Sequence, residues 1–175
     1  MNKTEKMAQQ LLAEFGIDTP PVPVEDIAKQ KGAKLSFEPF EGKDDISGLL
    51  FRDKNNVIIG INSAHPRNRQ RFSIAHELGH LFLHDKELFV DKVVKLNFRD
   101  SVSSAAIDTK EIAANAFAAE LLMPKQFIQN EIYKIIKKSL SLNKEELIEK
   151  LAVIFEVSKQ AMEYRLTNLG ILHGQ

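Results

Sequence analysis

The most informative stretch of the sequence, residues 71–84, reads Arg71-Phe-Ser-Ile-Ala-His76-Glu77-Leu-Gly-His80-Leu-Phe-Leu-His84. Positions four apart lie on one face of an α-helix, so His76 and His80 can bind one metal ion through their imidazoles. Their neighbours are mostly apolar, which predicts a buried helix. Because burying two histidines and a glutamate without partners would cost several kcal/mol, we favour a metal site over a purely structural cluster.

Glu77 follows the first of the two histidines and lies beside the metal-binding face of the predicted helix. This position suits a general base that takes a proton from a water activated by the metal, and does not suit a metal ligand. The metal would also polarise a peptide carbonyl, and Glu77 would then pass the proton to the leaving amine. The pattern therefore predicts peptide-bond hydrolysis with Glu77 as the catalytic residue.

A catalytic zinc ion needs a third protein ligand and one open position. Zinc peptidases of the metzincin class supply a third histidine two turns further on, after a glycine, whereas this chain has Leu81-Phe-Leu-His84 there. His84 projects further round the helix than His80, so we expect it to orient a neighbouring group or to lie at the helix end. The third ligand is therefore expected from another part of the chain.

A later segment, residues 110–124, offers two carboxylates, Glu111 and Glu120. Glu111 shares a helix face with Asn115, and nearby alanines allow a close approach to another helix. We expect Glu111 to be the third ligand, with Asn115 orienting a histidine. A first-turn glutamate favoured by the helix dipole is the alternative interpretation of Glu111. The expected ion is Zn²⁺, although sites with these ligands also accept Mn²⁺ or Fe²⁺.

Two segments together, RFSIAHELGHLFLH at 71–84 and EIAANAFAAELLMP at 111–124, resemble the ImmA/IrrE family of metallo-endopeptidases in motif, order and spacing. The resemblance implies His76, His80 and Glu111 as ligands and Glu77 as the catalytic base. It further implies a protein substrate, namely a helix-turn-helix repressor whose cleavage switches on the genes that it controls. The alternative is a module that binds such a repressor without cutting it and uses the metal only as a structural clamp.

The composition indicates a globular protein with a hydrophobic core, since 43% of its 175 residues are hydrophobic and 27% are charged. Lys+Arg and Asp+Glu both total 24, so the basic excess typical of nucleic-acid-binding proteins is missing. The sequence contains no cysteine, which excludes disulfides and thiolate ligands. It shows neither a signal peptide nor a membrane span, so we expect a cytoplasmic protein that does not bind membranes.

The apolar spacing predicts an α+β fold in which a small twisted sheet packs on the helix that carries the histidines. We expect a metallopeptidase core over residues 1–138 and a C-terminal helical subdomain, packed on it, over 139–175. Residues 88–99 are interpreted as a strand or an irregular loop, and residues 101–104 as a flexible connection. Helices are predicted at residues 1–16, 24–29, 68–83, 108–122, 125–138, 143–153 and 158–169, and strands at 33–37, 46–52 and 56–62.

Residues 147–170 have the spacing of a helix-turn-helix, with Ser158 as a possible cap of the second helix. The surface that would face DNA carries two cations, Lys159 and Arg165, beside Glu163. Such a mixed surface would bind phosphates weakly, so we do not expect direct DNA binding. A helical hairpin that packs on the core or docks the repressor is the interpretation we favour.

Two further groups have less specific patterns. Arg67, Arg69 and Arg71 precede the central helix, and we interpret them as a solvated face. Tyr133 and Tyr164 are the only tyrosines, and either could stabilise an oxyanion. Nothing in the sequence chooses between the two tyrosines.

Overall fold

The computed structural model describes residues 3–84, 88–92, 109–138 and 143–172, with the backbone alone at 88–92. The first half of this part of the chain contains both helices and strands, and the second half contains helices. The α+β class predicted from the sequence is confirmed. The elements are α1 (Lys3–Glu14), α2 (Val24–Gln30), β1 (Ala33–Glu38), β2 (Ile46–Arg52), β3 (Val57–Asn62), α3 (Arg67–Leu83), β4 (Leu88–Lys92), α4 (Thr109–Leu122), α5 (Lys125–Lys138), α6 (Lys144–Phe155) and α7 (Lys159–Asn168).

The chain forms two compact units. One comprises Met1–Val22 and Ala119–Gln175, and the other comprises Pro23–Ala118. The predicted division into a core over 1–138 and a subdomain over 139–175 stays a prediction. The predicted flexible connection at 101–104 lies outside the described residues. None of the helices that the structure describes has both the length and the apolar character needed to cross a membrane.

The sheet has the strand order β1-β3-β2-β4. Strands β2 and β3 pair antiparallel as the predicted hairpin, while β1 runs parallel to β3 and β4 runs antiparallel to β2. The hairpin turn is closed by Asp53, whose Oδ1 accepts hydrogen bonds from the backbone N–H groups of Asn55 and Asn56 at 2.7 and 2.8 Å. These bonds lower the pKa of Asp53. Asx turns of this kind commonly join two strands.

Helix α3 is the central helix of the second unit and packs against β2, β3 and α2. Pro66 precedes its first residue, where a missing N–H costs no hydrogen bond. At its other end, Arg52 of β2 donates hydrogen bonds to the carbonyls of Leu81 and His84 at 3.3 and 2.9 Å. The guanidinium therefore satisfies carbonyls that the helix itself leaves without partners and compensates the helix dipole. Sheet and helix are thus tied together beside the histidines.

The other unit contains a helix-turn-helix-like pair, α6 and α7. Asn143 and Glu146 form a capping box at the start of α6, and Ser158 accepts a hydrogen bond from the N–H of Ala161 at the start of α7. The predicted cap at Ser158 is confirmed. Between the helices, Glu156 adopts a left-handed conformation with φ 52°. Apolar side chains buried along the two helices hold the pair together: Ile148, Leu151, Ala152, Phe155, Met162 and Leu166.

Candidate metal centre

Three side chains that the sequence analysis proposed as metal ligands converge in the second unit. Their ligand atoms all lie within 4.8 Å of one another, so His76, His80 and Glu111 could hold one metal ion. The two histidines lie one helical turn apart on α3, which brings their Nε2 atoms to 2.9 Å. Glu111 reaches them from the first turn of α4, with Oε2 3.2 Å from Nε2 of His76 and Oε1 3.2 Å from Nε2 of His80.

These distances fit a single small cation. Ligand atoms about 2.0–2.1 Å from a tetrahedrally coordinated zinc ion are separated from one another by roughly 3.3 Å. The separations of 2.9 Å and 3.2 Å lie within a few tenths of an ångström of that value. Two imidazoles and one carboxylate are also the donor set of a well-known class of catalytic zinc sites, which leaves a fourth position open. Their binding of a metal ion remains a prediction that this arrangement supports.

Asn115 orients one of the histidines. Its Oδ1 lies 2.9 Å from Nδ1 of His76, so the Nδ1–H donates to the amide oxygen. This bond fixes the tautomer in which Nε2 carries a lone pair, and Nε2 is the atom that faces His80 and Glu111. Asn115 lies one turn after Glu111 on α4, so a single helix supplies both the carboxylate and the orienting amide.

The electrostatics of the cluster favour the protonation states that bind metals. Desolvation acts to raise the pKa of Glu111, but the neighbouring imidazoles of His76 and His80 outweigh it and hold that pKa well below its usual value. Burial is the main cause that lowers the pKa of His80, and the neighbouring His76 adds to it, although Glu111 opposes both. An ionised carboxylate and a neutral imidazole are the forms that coordinate divalent ions.

Glu77 directly follows the candidate ligand His76 and is fully buried. Its carboxylate lies against β2, where a Cβ added to Gly48 would be only 2.9 Å from Oε1 of Glu77. A strand position without a side chain therefore provides the space that this carboxylate occupies. Glycine within a strand often marks such a close approach, and this signal could have identified Gly48 from the sequence.

His84 lies at the C-terminal end of α3, which is one of the two positions expected for it from the sequence. Its Nε2 is 3.2 Å from the carbonyl oxygen of Lys110, which directly precedes Glu111. Its ring centroid is 5.5 Å from that of His80. His84 therefore links the end of the histidine helix to the beginning of α4. A role in holding Glu111 in place stays a prediction.

Glu120, the second candidate for the third ligand, belongs to another cluster. Its side chain is 5% exposed and pairs with Arg165, which also donates to the carbonyl of Met123 at 3.0 Å. The side chain of Arg165 is only 11% exposed, so its guanidinium is committed to this ion pair. The exposed position predicted for Arg165 is therefore wrong, and no local pattern reveals the pair, because the two residues are 45 positions apart.

The interpretation of the three arginines as a solvated face is wrong for Arg71, which is 3% exposed. Its guanidinium lies 3.9 Å from Glu25 of α2, and Arg67 pairs with the same carboxylate at 2.5 Å. Arg69 donates to the hydroxyl of Ser47 at 3.1 Å. Arg71 can be buried because its ion pair with Glu25 offsets part of the cost of desolvating the charge.

Comparison with known proteins places these features in a family. Residues 28–167 match the family model Peptidase_M78, described as the IrrE N-terminal-like domain. The chain is 35% identical over 126 residues to metallopeptidase ImmA of Bacillus subtilis, which covers 71% of this chain and 64% of that protein. It is 32% identical over 138 residues to the radiation response metalloprotease IrrE of Deinococcus radiodurans, which covers 78% of this chain and 37% of that protein.

A phage protein and a solved structure are also similar. The uncharacterized immunity region protein 2 of Bacillus phage phi105 is 34% identical over 90 residues, covering 51% of this chain and 52% of that protein. The structure of a Mycobacterium tuberculosis transcriptional regulator matches with a TM-score of 0.60 at 16% identity, over 95% of this chain and 56% of that chain. The chain thus spans less than two thirds of each of these proteins. Because the family model covers most of its length, the chain belongs to the IrrE N-terminal-like domain family of peptidases.

Proposed function

We propose that this protein is a zinc-dependent endopeptidase, with Zn²⁺ held by His76, His80 and Glu111 and with Glu77 as the catalytic residue. The observation that carries the proposal is the convergence of the His76, His80 and Glu111 ligand atoms within 4.8 Å, beside the buried Glu77 on the helix of the two histidines. A protein that used its metal only as a structural clamp would have no need of a glutamate in this position. Membership of a peptidase family supports the same reading.

The residues of the chain divide the chemistry between them. When bound, zinc supplies a Lewis acid that polarises the peptide carbonyl and makes water a stronger acid. Glu77 accepts a proton from the attacking water on its carboxylate and then returns it to the leaving nitrogen. Asn115 keeps the proton of His76 on Nδ1, which leaves Nε2 as the ligand atom. Burial of Glu77 raises the strength of its interactions, because little water competes for its carboxylate.

For the substrate we propose a helix-turn-helix repressor that is cut at one or a few bonds in the cytoplasm. The resemblance of the two motifs to the ImmA/IrrE family supports this substrate class. The chain is also similar to a protein named for the immunity region of a phage. We do not propose direct DNA binding, because Arg165 of α7 forms an ion pair with Glu120 and its charge is therefore not available to a phosphate.

The first test is the zinc content of the purified protein after reconstitution, compared with that of Glu111→Gln. This variant keeps the volume of the side chain and removes its charge. The control is Glu145→Gln, which also changes a first-turn glutamate but on α6, in the other unit. We expect about one zinc per chain in the parent and the control, and strongly weakened binding in Glu111→Gln. Equal zinc in all three proteins would refute Glu111 as a ligand.

The second test addresses the reaction. The zinc-loaded protein is incubated with purified helix-turn-helix repressors from the same organism, and the products are identified by mass spectrometry. We expect discrete fragments that disappear when a chelator removes the metal. Stable complex formation without any fragment would instead favour the binding module that captures a repressor without cutting it.

A further inference from the structure

Two glycines beside the candidate metal centre are not required by their backbone conformation. Neither Gly48 in β2 nor Gly79 in α3 has a positive φ. An L-residue could therefore adopt either backbone conformation without strain. Glycine is needed at these positions because neighbouring atoms occupy the space that a Cβ would fill. The neighbouring atoms differ between the two positions.

At Gly48 the space is filled by the proposed base. An added Cβ would lie 2.9 Å from Oε1 and 3.5 Å from Cγ of Glu77. The end of a side chain can shift, so the fold can accommodate a methyl group at this position. The group that shifts is, however, the carboxylate that moves the proton in the proposed reaction. A change that the fold can accommodate would therefore displace the base.

At Gly79 the space is filled by the backbone of another helix. An added Cβ would lie 2.9 Å from Cα and 3.1 Å from the carbonyl oxygen of Ala114 in α4. Backbone atoms in a helix cannot move alone, so a methyl group here would push α4 away from α3. Glu111 and Asn115 lie within one turn of Ala114 on the same helix. The contact between Gly79 and Ala114 therefore sets the distance from the carboxylate and the amide to the histidines.

We propose that Gly48 and Gly79 are positioning residues with separate tasks: Gly48 sets the position of the Glu77 carboxylate, and Gly79 sets the position of Glu111. The importance of both tasks rests on the proposed function, whereas the two contacts can be tested without it. A methyl group at Gly79 should impair metal binding. A methyl group at Gly48 should leave metal binding intact and impair hydrolysis.

The first experiment measures zinc affinity by competition with a chromophoric chelator. The variants are Gly48→Ala, Gly79→Ala and the control Gly60→Ala, where the atoms nearest to an added Cβ belong to the side chain of Leu49, with Cγ at 3.0 Å. We expect Kd to rise about 10- to 100-fold in Gly79→Ala, by analogy with the loss of groups that orient metal ligands. We expect changes below about threefold in the other two. Unchanged affinity in Gly79→Ala, or an equal loss in Gly48→Ala, would overturn the assignment.

Hydrolysis separates Gly48→Ala from the control. With zinc saturating, we expect cleavage of the repressor by Gly48→Ala to slow about 10- to 100-fold in kcat, since a displacement of the base by about 1 Å is costly. The control Gly60→Ala should cleave at the parent rate. A Gly48→Ala variant as active as the parent would show that Gly48 does not position the base.

A double-mutant cycle tests the Gly48 contact without any metal or substrate. Gly48→Ala is made in the parent and in Glu77→Ala, and the thermal midpoints of the metal-free proteins are compared. In the parent the midpoint should fall, because the methyl group displaces a buried carboxylate. In Glu77→Ala it should stay or rise, because the space is open and alanine loses less chain entropy than glycine. Equal shifts in both backgrounds would refute the contact.

The outcomes distinguish this inference from the proposed function. A parent protein that binds no zinc would refute the proposed function, and the cycle would still decide whether Gly48 positions Glu77. If Gly79→Ala does not fold, Ala114→Ser adds a single oxygen atom to the same helix junction. We expect Ala114→Ser to weaken zinc binding by about three- to tenfold, less than a methyl group at Gly79. Zinc affinity equal to that of the parent would contradict the role given to this junction.

Discussion

Replacement of Asn115 by alanine tests how far the structure explains metal affinity. The change removes the 2.9 Å hydrogen bond to Nδ1 of His76 and leaves the N–H of a ring that is 2% exposed without its acceptor. An unsatisfied buried donor costs about 1–3 kcal/mol. Loss of a group that orients a ligand typically weakens metal binding about 10- to 100-fold, which corresponds to about 1.4–2.7 kcal/mol. The two free-energy ranges overlap, so we expect the Kd of Asn115→Ala for zinc to rise about 10- to 100-fold.

The matched variant is Asn115→Asp, which keeps the shape of the side chain and offers a charged acceptor to the same N–H. Charge-assisted hydrogen bonds are stronger than neutral ones, so Asn115→Asp should bind zinc at least as tightly as the parent. Both affinities are measured by chelator competition at one pH and one ionic strength. An Asn115→Ala protein whose Kd stays within about threefold of the parent value, or an equal loss in both variants, would refute the orienting role of Asn115.

Three further predictions concern the unit that contains the C-terminal helices. Arg165→Met should destabilise the protein by about 3–5 kcal/mol, because the partner Glu120 is 5% exposed and would be left as an unpaired buried charge; chemical denaturation measures this, and a loss below about 1 kcal/mol would contradict it. Glu156→Gly should stabilise by up to about 1 kcal/mol, since Glu156 has φ 52° and glycine adopts this conformation without strain. Its counterpart Glu156→Val should be destabilising, and the opposite order of thermal midpoints would disprove the strain. Ser158→Ala should cost about 1 kcal/mol through loss of the 3.1 Å cap to Ala161, whereas Lys159→Ala, one residue later, should change stability less; equal effects would rule out the cap as the cause.

Local patterns made much of the fold predictable. The helix that carries His76 and His80 depends on apolar spacing and on a four-residue repeat, both of which are properties of a short segment. The strands of the hairpin and the cap at Ser158 are equally local, and the structure confirms them. The first part of the ambiguous segment at 88–99 forms β4, which pairs with β2.

Contacts between distant segments were harder to predict. Glu111 is preferred over Glu120 as the third ligand because Asn115 shares its helix face. This choice depends on the sequence of α4 alone and needs no knowledge of where α4 packs. The pairing of Glu120 with Arg165 depends on the position of α7, which no local pattern reveals. The same reason explains the error at Arg71, whose partner Glu25 lies on a different helix. Charged residues are usually exposed, so a buried pair goes against the expectation that composition supports.

The contact between Gly48 and Glu77 combines both kinds of information. A glycine inside a β-rich segment signals that something approaches the backbone closely, but the signal does not say what. Only the pairing of strand β2 with helix α3 identifies the approaching group as the carboxylate of Glu77. Small residues at element junctions therefore indicate a site only once the packing of the elements is known.

The measurement that tests the central claim most directly is the rate of repressor cleavage by zinc-loaded Glu77→Gln, with zinc content determined on the same sample. We expect about one zinc per chain, as in the parent, because Glu77 is not a ligand. We expect cleavage to be slowed by about 10²- to 10⁴-fold, because glutamine cannot accept the proton. Cleavage at the parent rate by a variant that retains its zinc would contradict the role of Glu77 and with it the proposed mechanism.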